Sequence, residues 1–219
     1  MIKTNGKGSL IVISGPSGAG KGTVIQKLLE KNKNVWLSVS CTSRPIRSND
    51  IEGVTYYFLT KEQFEEKIKN DEFLEYAEYN GNYYGTPKAK IQEKLDQGID
   101  VILEIEVQGA LIVKKNFKDA IFIFIMPPSM EELRDRLINR KTDSKEKIID
   151  RFKTAYNEIN EITKYNYVVV NDEIDNAVDK VSSILLSEKC RVDRIEDVYL
   201  SNKEELIHEM LIDKEFIND

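Results

Sequence analysis

Apolar residues along the chain form short continuous runs that alternate with longer stretches of helical periodicity. The runs are rich in β-branched residues, which is typical of strands buried on both faces of a sheet. They predict four core strands, Ser9–Ser14, Asp100–Glu106, Ala120–Met126 and Tyr167–Asn171. Each is followed by a predicted helix, at Gly20–Asn32, Gln108–Asn116, Met130–Asn139 and Ile174–Ser187. This alternation predicts an α/β fold, with a parallel sheet that has helices on both faces.

The segment 38–98 interrupts this alternation, because it has few long apolar runs and many tyrosines. Its pattern predicts four short, half-buried strands, Ser38–Ser40, Tyr56–Leu59, Phe73–Tyr79 and Asn82–Tyr84. It also predicts two helices, Lys61–Asn70 and Pro87–Gln97. We interpret the segment as a small mixed subdomain that is inserted into the main sheet.

Two further segments lie outside the core pattern. The polar stretch 140–151 predicts a mobile lid, and a helix over Ser144–Tyr165 overlaps its end. Residues 190–219 predict a helical C-terminal extension, because Ser201 and Glu204 open an amphipathic helix. The organisation is then one domain over 1–189, with its core in 1–37, 99–139 and 152–189.

Composition narrows the class of protein. A hydrophobic fraction of 41% and a charged fraction of 32% are ordinary for a globular domain, and a net charge of −6 disfavours nucleic-acid or membrane partners. No apolar run approaches the roughly 20 residues that span a bilayer. Cys41 and Cys190 lack metal or redox spacing and no secretory signal is present, so we expect a cytoplasmic protein. With His208 as the single histidine, a His-based triad is disfavoured.

The junction between the first strand and the first helix carries the strongest motif. It consists of Gly15, Pro16, Ser17, Gly18, Ala19, Gly20, Lys21, Gly22 and Thr23. Glycines allow successive backbone N–H groups to face an anion, the helix N-terminus favours negative charge, and Lys21 adds a full charge. The spacing predicts a phosphate-binding P-loop, with an ordinary glycine-rich turn as the alternative.

The residue after the lysine departs from the common P-loop pattern, which has Ser or Thr there to hold Mg²⁺. This chain has Gly22 at that place and the hydroxyl one residue later, at Thr23, an ending that resembles adenylate kinases. Because Mg²⁺ keeps much of its water, we expect it to be bound mainly through ATP oxygens and water, with Thr23 as a candidate ligand.

A second set of residues predicts a site for a phosphorylated acceptor. Arg44 and Arg47 are three residues apart in a polar loop, where two planar donors can converge on one phosphate, and Tyr56 can add a hydroxyl. Glu75 can face a pocket and accept hydrogen bonds there. Guanine presents N1–H and N2–H donors on one edge, whereas adenine has an acceptor at N1, so a carboxylate favours guanine.

Together these motifs resemble those of the guanylate kinase family. The resemblance runs from about Ser9 to Leu186 and includes the P-loop, the SxxxRxxR segment, FLExAE, GNYYGT, LEIEVQGA and VVVND. It implies a P-loop kinase core, an inserted GMP-binding subdomain over 38–98 and a mobile lid. It also implies in-line transfer of the γ-phosphate of ATP to GMP without a general base, giving ADP and GDP in purine nucleotide metabolism.

By position, the resemblance also implies roles for individual residues. The GMP phosphate would be held by Arg44, Arg47, Tyr56 and Tyr84, and guanine by Ser40, Glu75, Thr86 and Glu106. The loop 15–23 would hold the ATP phosphates, and Asn171 would lie by the adenine. The catalytic residues would be Lys21, Arg136, Arg140 and Arg151. Glu104 matches an acidic position near the metal, although the family usually has Asp there and at 106.

Other interpretations remain open. A kinase for AMP or UMP is disfavoured by Glu75 and Glu106, and a binding module for a phosphorylated protein is disfavoured by Lys21 and the lid arginines. A generic P-loop ATPase with a macromolecular partner is a third alternative. At single positions, Arg136 can pair with Glu132 on the helix surface, and Glu104 can serve as a helix cap. The family suggests dGMP as a second acceptor, and the sequence does not predict the oligomeric state.

Overall fold

The computed structural model describes residues 3–4, 7–79, 81–139, 145–192 and 195–197. The strands are β1 (Lys3–Thr4), β2 (Leu10–Ser14), β3 (Val35–Leu37), β4 (Cys41–Thr42), β5 (Tyr57–Phe58), β6 (Phe73–Tyr79), β7 (Asn82–Pro87), β8 (Asp100–Glu104), β9 (Ile121–Met126), β10 (Tyr167–Val170) and β11 (Ile195–Asp197). The helices are α1 (Lys21–Lys31), α2 (Lys61–Lys69), α3 (Lys88–Asp96), α4 (Val107–Asn116), α5 (Met130–Asn139), α6 (Lys145–Ile159) and α7 (Ile174–Glu188).

The core is a five-stranded sheet in the order β10-β9-β2-β8-β3, and every neighbouring pair is parallel. Alternate residues of β2 point to opposite faces. Ile11 and Ile13 pack in one buried cluster with residues of α1 and α7, whereas Val12 packs in another with residues of α3 and α4. A buried side chain of this size contributes roughly 1.5–3 kcal/mol. The predicted parallel sheet with helices on both faces is confirmed.

A second sheet, in the order β5-β4-β7-β6, lies within the segment that the sequence sets apart. Its own small core forms where Phe64 of α2 stacks on Phe73 and Tyr83, with ring centroids 4.4 and 5.2 Å apart. Thr60 begins α2 with both hydrogen bonds of a capping box. This sheet joins the main core through Leu74, which packs in the same buried cluster as Ile91 and the residues of α4.

The structure corrects two strand predictions. Ser38–Ser40 does not form a strand; it connects β3, at the edge of the main sheet, with β4 in the second sheet. The edge strand β3 is half-buried and has only three residues, so its apolar run is too short to indicate a strand by itself. The strand predicted over Asp100–Glu106 ends at Glu104, because the chain leaves the sheet there and enters α4, which Glu106 precedes as its N-terminal cap residue.

Helix α5 has its predicted bounds, and the Ser129 hydroxyl accepts a 3.1 Å hydrogen bond from the Glu132 N–H at its start. The helix predicted to run to Tyr165 ends at Ile159, before a 3₁₀ turn. Leu133 and Leu137 of α5 pack with Ala155 of α6. Among the described residues, none of the helices combines the length and apolar character needed to cross a membrane.

The first and last described strands pair with each other, β1 antiparallel to β11. The prediction for 190–219 was a helical segment and did not include the strand at Ile195–Asp197. The helix predicted from Ser201 onward lies outside the described residues, as do Arg140 and Lys141 of the predicted lid.

Candidate active site

The P-loop lies where β2 ends, at the edge formed by the carboxyl ends of the parallel strands, which is where ligands bind in open α/β sheets. Gly15, Gly18 and Gly20 have φ values of 142°, 95° and 89°, a region that side chains rarely adopt. A Cβ on Gly15 would lie 2.2 Å from the Ile125 carbonyl oxygen. The loop therefore requires glycine both for its backbone conformation and for its close packing on β9.

Lys21 is the first residue of α1, and its side chain folds back along the loop. Its Nζ donates hydrogen bonds to the carbonyl oxygens of Gly15, at 2.5 Å, and Pro16, at 3.3 Å. The ammonium group is thereby held against the loop whose N–H groups it complements. This is the position in which a cation can contact phosphates that the loop binds.

Asn171 and Arg136 hold the loop from the side of β10. The Asn171 amide nitrogen donates a 2.8 Å hydrogen bond to the Ala19 carbonyl, and Asn171 is only 3% exposed. Arg136 Nη1 donates to the same carbonyl at 3.4 Å, and its Nη2 donates to the Asn171 carbonyl at 3.1 Å. Arg136 also forms an ion pair with Glu132 at 3.0 Å. It therefore makes both the helix-surface pair that the sequence offered as an alternative and the contacts with the P-loop.

Two glutamates, Glu104 and Glu158, interact electrostatically with Lys21, and both also interact with Glu106. The Glu104 side chain is exposed to solvent, yet partial burial of its carboxylate by surrounding protein atoms raises its pKa. Lys21 lowers the pKa of Glu104, and the Glu106 carboxylate raises it further. Burial and the neighbouring Glu106 carboxyl raise the pKa of Glu158 to about 7, against the opposing effects of Lys21 and the Ser17 N–H. The end of α6 is therefore in electrostatic contact with the P-loop.

These residues fit a Mg²⁺ ion that is bound mainly by other ligands. The Glu104 carboxylate lies 3.7 Å from where a Cβ on Gly22 would be, so it faces the start of α1, where Thr23 is the next residue in the chain. Hydroxyl and carboxylate oxygens are donors that Mg²⁺ prefers. Within the ranges that the structure describes, however, no group of three or more His, Cys, Asp or Glu residues could hold a metal by itself.

In the loop that follows β4, Arg44 is buried and held on several sides. Its guanidinium donates to both carboxylate oxygens of Asp50, at 2.8 and 3.1 Å, and lies 5.4 Å from the ring centre of Tyr56 and 5.6 Å from that of Phe58. The hydrogen bond from Arg44 holds the pKa of Asp50 below its usual range. The Tyr84 ring packs edge-on against Tyr56, with centroids 5.9 Å apart.

Glu75 of β6 and Thr86 of β7 form a buried pair. The Thr86 hydroxyl donates a 2.6 Å hydrogen bond to Glu75 Oε1. Thr86 is 0% exposed and Glu75 is 7% exposed. Burial raises the pKa of Glu75, and the hydrogen bond from Thr86 partly opposes this. Across the pair lies Gly109 of α4, where a Cβ would be 2.9 Å from Glu75 Oε2.

The comparisons with known proteins agree with this geometry. A family model described as guanylate kinase matches residues 7–188. The chain belongs to the guanylate kinase family. Among curated relatives, it is 61% identical to the guanylate kinase of Clostridium tetani, over 94% of this chain and 99% of that protein. It is 56% identical to that of Clostridium acetobutylicum, with the same coverage. A crystal structure of guanylate kinase from Anaplasma phagocytophilum has a TM-score of 0.74 at 34% identity, and covers 96% of this chain and 97% of that one.

With the guanylate kinase fold assigned, the predicted site residues fall into groups. The structure brings together Glu75 with Thr86, Arg44 with Tyr56 and Tyr84, and Asn171 with Arg136 and the P-loop. Arg47 is exposed, and its backbone N–H donates to Asp50 at 2.7 Å. Ser40 contributes its carbonyl to the Tyr57 N–H at 2.9 Å. Glu106 begins α4 without a cap hydrogen bond from its side chain, and Arg151 lies within α6.

Sequence reasoning missed the roles of Asp50 and Glu158. Asp50 follows the SxxxRxxR segment by three residues, and an acidic residue close to two arginines could have been interpreted as their ion-pair partner. Glu158 follows Arg151 by seven residues, which places the two on one face of α6 two turns apart. In a helix this rich in charge, a single glutamate looks like a solvated residue, and only the fold shows that it meets Glu106.

Proposed function

We propose that the protein is an ATP:GMP phosphotransferase, which transfers the γ-phosphate of ATP to GMP and releases ADP and GDP. The observation that carries the proposal is the buried Glu75–Thr86 pair, in a sheet inserted beside a P-loop. Such a pair is suited to a base edge, and the P-loop is suited to a triphosphate. The named guanylate kinases that are 50% or more identical to this chain support the same reading.

Guanine recognition follows from the hydrogen-bond inventory of the pair. The N1–H and N2–H donors of guanine can satisfy the Glu75 carboxylate, and the Thr86 oxygen keeps lone pairs after donating its hydrogen. A buried carboxylate that lacks donors is costly. Adenine would place its N1 acceptor against Glu75, so we expect AMP to be rejected. Ser40 and Glu106 complete the proposed guanine site.

The proposed phosphate site for GMP combines Arg44, whose charge is neutralised by Asp50, with Arg47, whose side chain is exposed. Asp50 balances Arg44 and fixes its orientation, so the net charge must come from elsewhere. Arg47 is exposed in the same loop and can supply it. The hydroxyls of Tyr56 and Tyr84 add donors. This division gives Arg44 the role of aligning the acceptor and Arg47 that of attracting it.

The chemistry needs no general base, because a phosphate oxygen of GMP is already anionic near neutral pH. The N–H groups of loop 15–23 and Lys21 hold the donor phosphates, and Arg136, Arg140 and Arg151 are proposed to offset charge on the transferring group. A Mg²⁺ ion bound to ATP, with Thr23 or Glu104 as a protein ligand, would supply further charge stabilisation. Catalysis then consists of alignment for an in-line transfer and charge stabilisation.

The proposal includes the domain roles. Residues 38–98 form the GMP-binding insertion and 140–151 the lid, whose closure excludes water and so suppresses ATP hydrolysis. We also propose dGMP as an alternative acceptor. A cytoplasmic location belongs to the same proposal, since Cys41 and Cys190 are both free thiols.

The test is ADP formation from Mg-ATP, with GMP, dGMP, AMP, UMP and CMP offered separately. We expect turnover with GMP and dGMP, and kcat/KM lower with AMP by a factor on the order of 10⁴, as for sites that depend on buried hydrogen bonds. Equal turnover with AMP would keep phosphoryl transfer but contradict the guanine site. Folded protein that is inactive with every acceptor would favour a binding module for a phosphorylated protein.

A further inference from the structure

Hydrogen bonds fix the backbone of Asn171 on both sides, and one further hydrogen bond holds its side-chain amide against the P-loop. Its backbone N–H donates to the Met126 carbonyl at 2.8 Å, and its own carbonyl accepts from Arg136 at 3.1 Å. With the backbone fixed in this way, the side-chain amide reaches Ala19 at 2.8 Å. The residue is 3% exposed, so this hydrogen bond is shielded from water.

The amide lies directly against the P-loop. A Cβ on Gly20 would be 2.4 Å from Asn171 Nδ2, closer than any real contact, so the loop and the amide fit only because residue 20 is glycine. The Ala19 carbonyl also accepts from Arg136 Nη1 at 3.4 Å. Two donors from different elements therefore converge on one loop carbonyl.

A fixed carbonyl also fixes the N–H of the same peptide. The peptide unit is planar and trans, so the Ala19 carbonyl and the Gly20 N–H point in opposite directions. When Asn171 draws the carbonyl toward β10, the Gly20 N–H must point away from β10. P-loops bind phosphate with such N–H groups, and a peptide free to rotate would offer its carbonyl oxygen to the anion in part of its conformations.

We propose that Asn171 is a positioning residue for phosphate binding: it orients the Ala19–Gly20 peptide so that the Gly20 N–H faces the phosphates of the nucleotide. This rests on the proposed function only for the identity of the nucleotide. It differs from a role beside the adenine, because the contribution of Asn171 to binding is then independent of the base. Arg136 supports the same peptide through its second contact.

The experiment uses inorganic tripolyphosphate, which has the phosphates of ATP but no base. Binding of tripolyphosphate and of ATP, both with Mg²⁺, is measured by titration calorimetry on the full chain and on Asn171→Ala. Loss of one buried hydrogen bond should weaken both by the same factor, about tenfold. Asn171→Asp, of nearly equal size, should weaken both further, because a carboxylate oxygen would face the Ala19 carbonyl. Asn176→Ala, an exposed asparagine of α7 that bonds Glu173, is the matched control and should bind both like wild type.

Weaker ATP binding with unchanged tripolyphosphate binding would overturn the proposal in favour of an adenine contact. Unchanged binding of both would overturn it altogether. As a second readout, ATP and ITP are compared as phosphoryl donors, since they differ only in the base. We expect Asn171→Ala to lower kcat/KM for both equally, whereas an adenine contact would make the loss larger for ATP. If the wild type phosphorylates no nucleotide, the proposed function fails, but the tripolyphosphate result still decides the role of Asn171.

Discussion

Thr86 donates its hydroxyl hydrogen to a carboxylate oxygen of Glu75 inside the protein, where neither side chain is exposed beyond 7%. One carboxylate oxygen is thus partly satisfied, and the other faces Gly109. The raised pKa of Glu75 expresses the cost of keeping this group ionised without further donors. A ligand that brings two N–H donors removes that cost. The Glu75–Thr86 pair would therefore favour such a ligand over one that lacks these donors.

The selectivity can be tested by Glu75→Gln. The substitution keeps the size of the side chain but replaces charge-assisted hydrogen bonds with weaker ones and adds a donor where guanine also has donors. We expect kcat/KM for GMP to fall roughly 10- to 100-fold or more, with KM for ATP unchanged. Glu66→Gln, on α2 in the same insertion, serves as control. An unchanged preference for GMP over AMP in Glu75→Gln would contradict the assigned guanine site.

The Arg44–Asp50 pair predicts a separate effect on the acceptor phosphate. Asp50→Ala removes the two hydrogen bonds between its carboxylate and the guanidinium and leaves the one to the Pro45 carbonyl, so we expect KM for GMP to rise by about tenfold and KM for ATP to stay the same. Glu72→Ala breaks an exposed ion pair with Lys67 in the same insertion and should change neither constant. A rise in KM for ATP, or the same change in Glu72→Ala, would show that the effect is not specific to the acceptor.

Glu158 predicts a dependence of stability on pH in the nucleotide-free protein. Its folded-state pKa of about 7 lies above the ordinary 4.5, so the folded protein binds more protons between these values. The contribution of this carboxyl to stability therefore falls as pH rises from about 4.5 to 7, and stays low above that. We expect Glu158→Gln to raise Tm, and to raise it more at pH 8.5 than at pH 5.5, with the exposed Glu30→Gln as control. An equal change in Tm at both pH values would exclude this titration.

Gly15 predicts a large loss of stability on substitution. In Gly15→Ala the new Cβ would lie 2.2 Å from the Ile125 carbonyl oxygen, in a backbone conformation with φ of 142°. Gly81 has a positive φ of 74° but no atom within 4 Å of its Cβ position, so Gly81→Ala should cost only the conformational strain, about 1–2 kcal/mol. We expect chemical denaturation to show a clearly greater loss for Gly15→Ala. Similar losses for the two variants would contradict the packing argument.

The sequence predicted the parts of the molecule that depend on local pattern. Continuous apolar runs located β2, β8 and β9, and helical periodicity located α5. Strand β3 was missed because its apolar run, Val35–Leu37, has only three residues and is too short to indicate a strand by itself. The site was predictable where residues are adjacent in a motif, as in the P-loop. The link between Asn171 and Ala19 spans 152 positions, and no local pattern encodes it.

The contact of β6 with α4 has a mechanical consequence. Leu74 packs in the main core and the Glu75 carboxylate lies against Gly109, so this end of the inserted sheet is fixed to the core. Arg44 follows β4, two strands away, which is roughly 10 Å at ordinary strand spacing. If the inserted sheet rotates about this end, we expect Glu75 to move least and Arg44 to move most. Such a rotation would bring the acceptor phosphate toward the donor while the proposed base contacts at Glu75 change least.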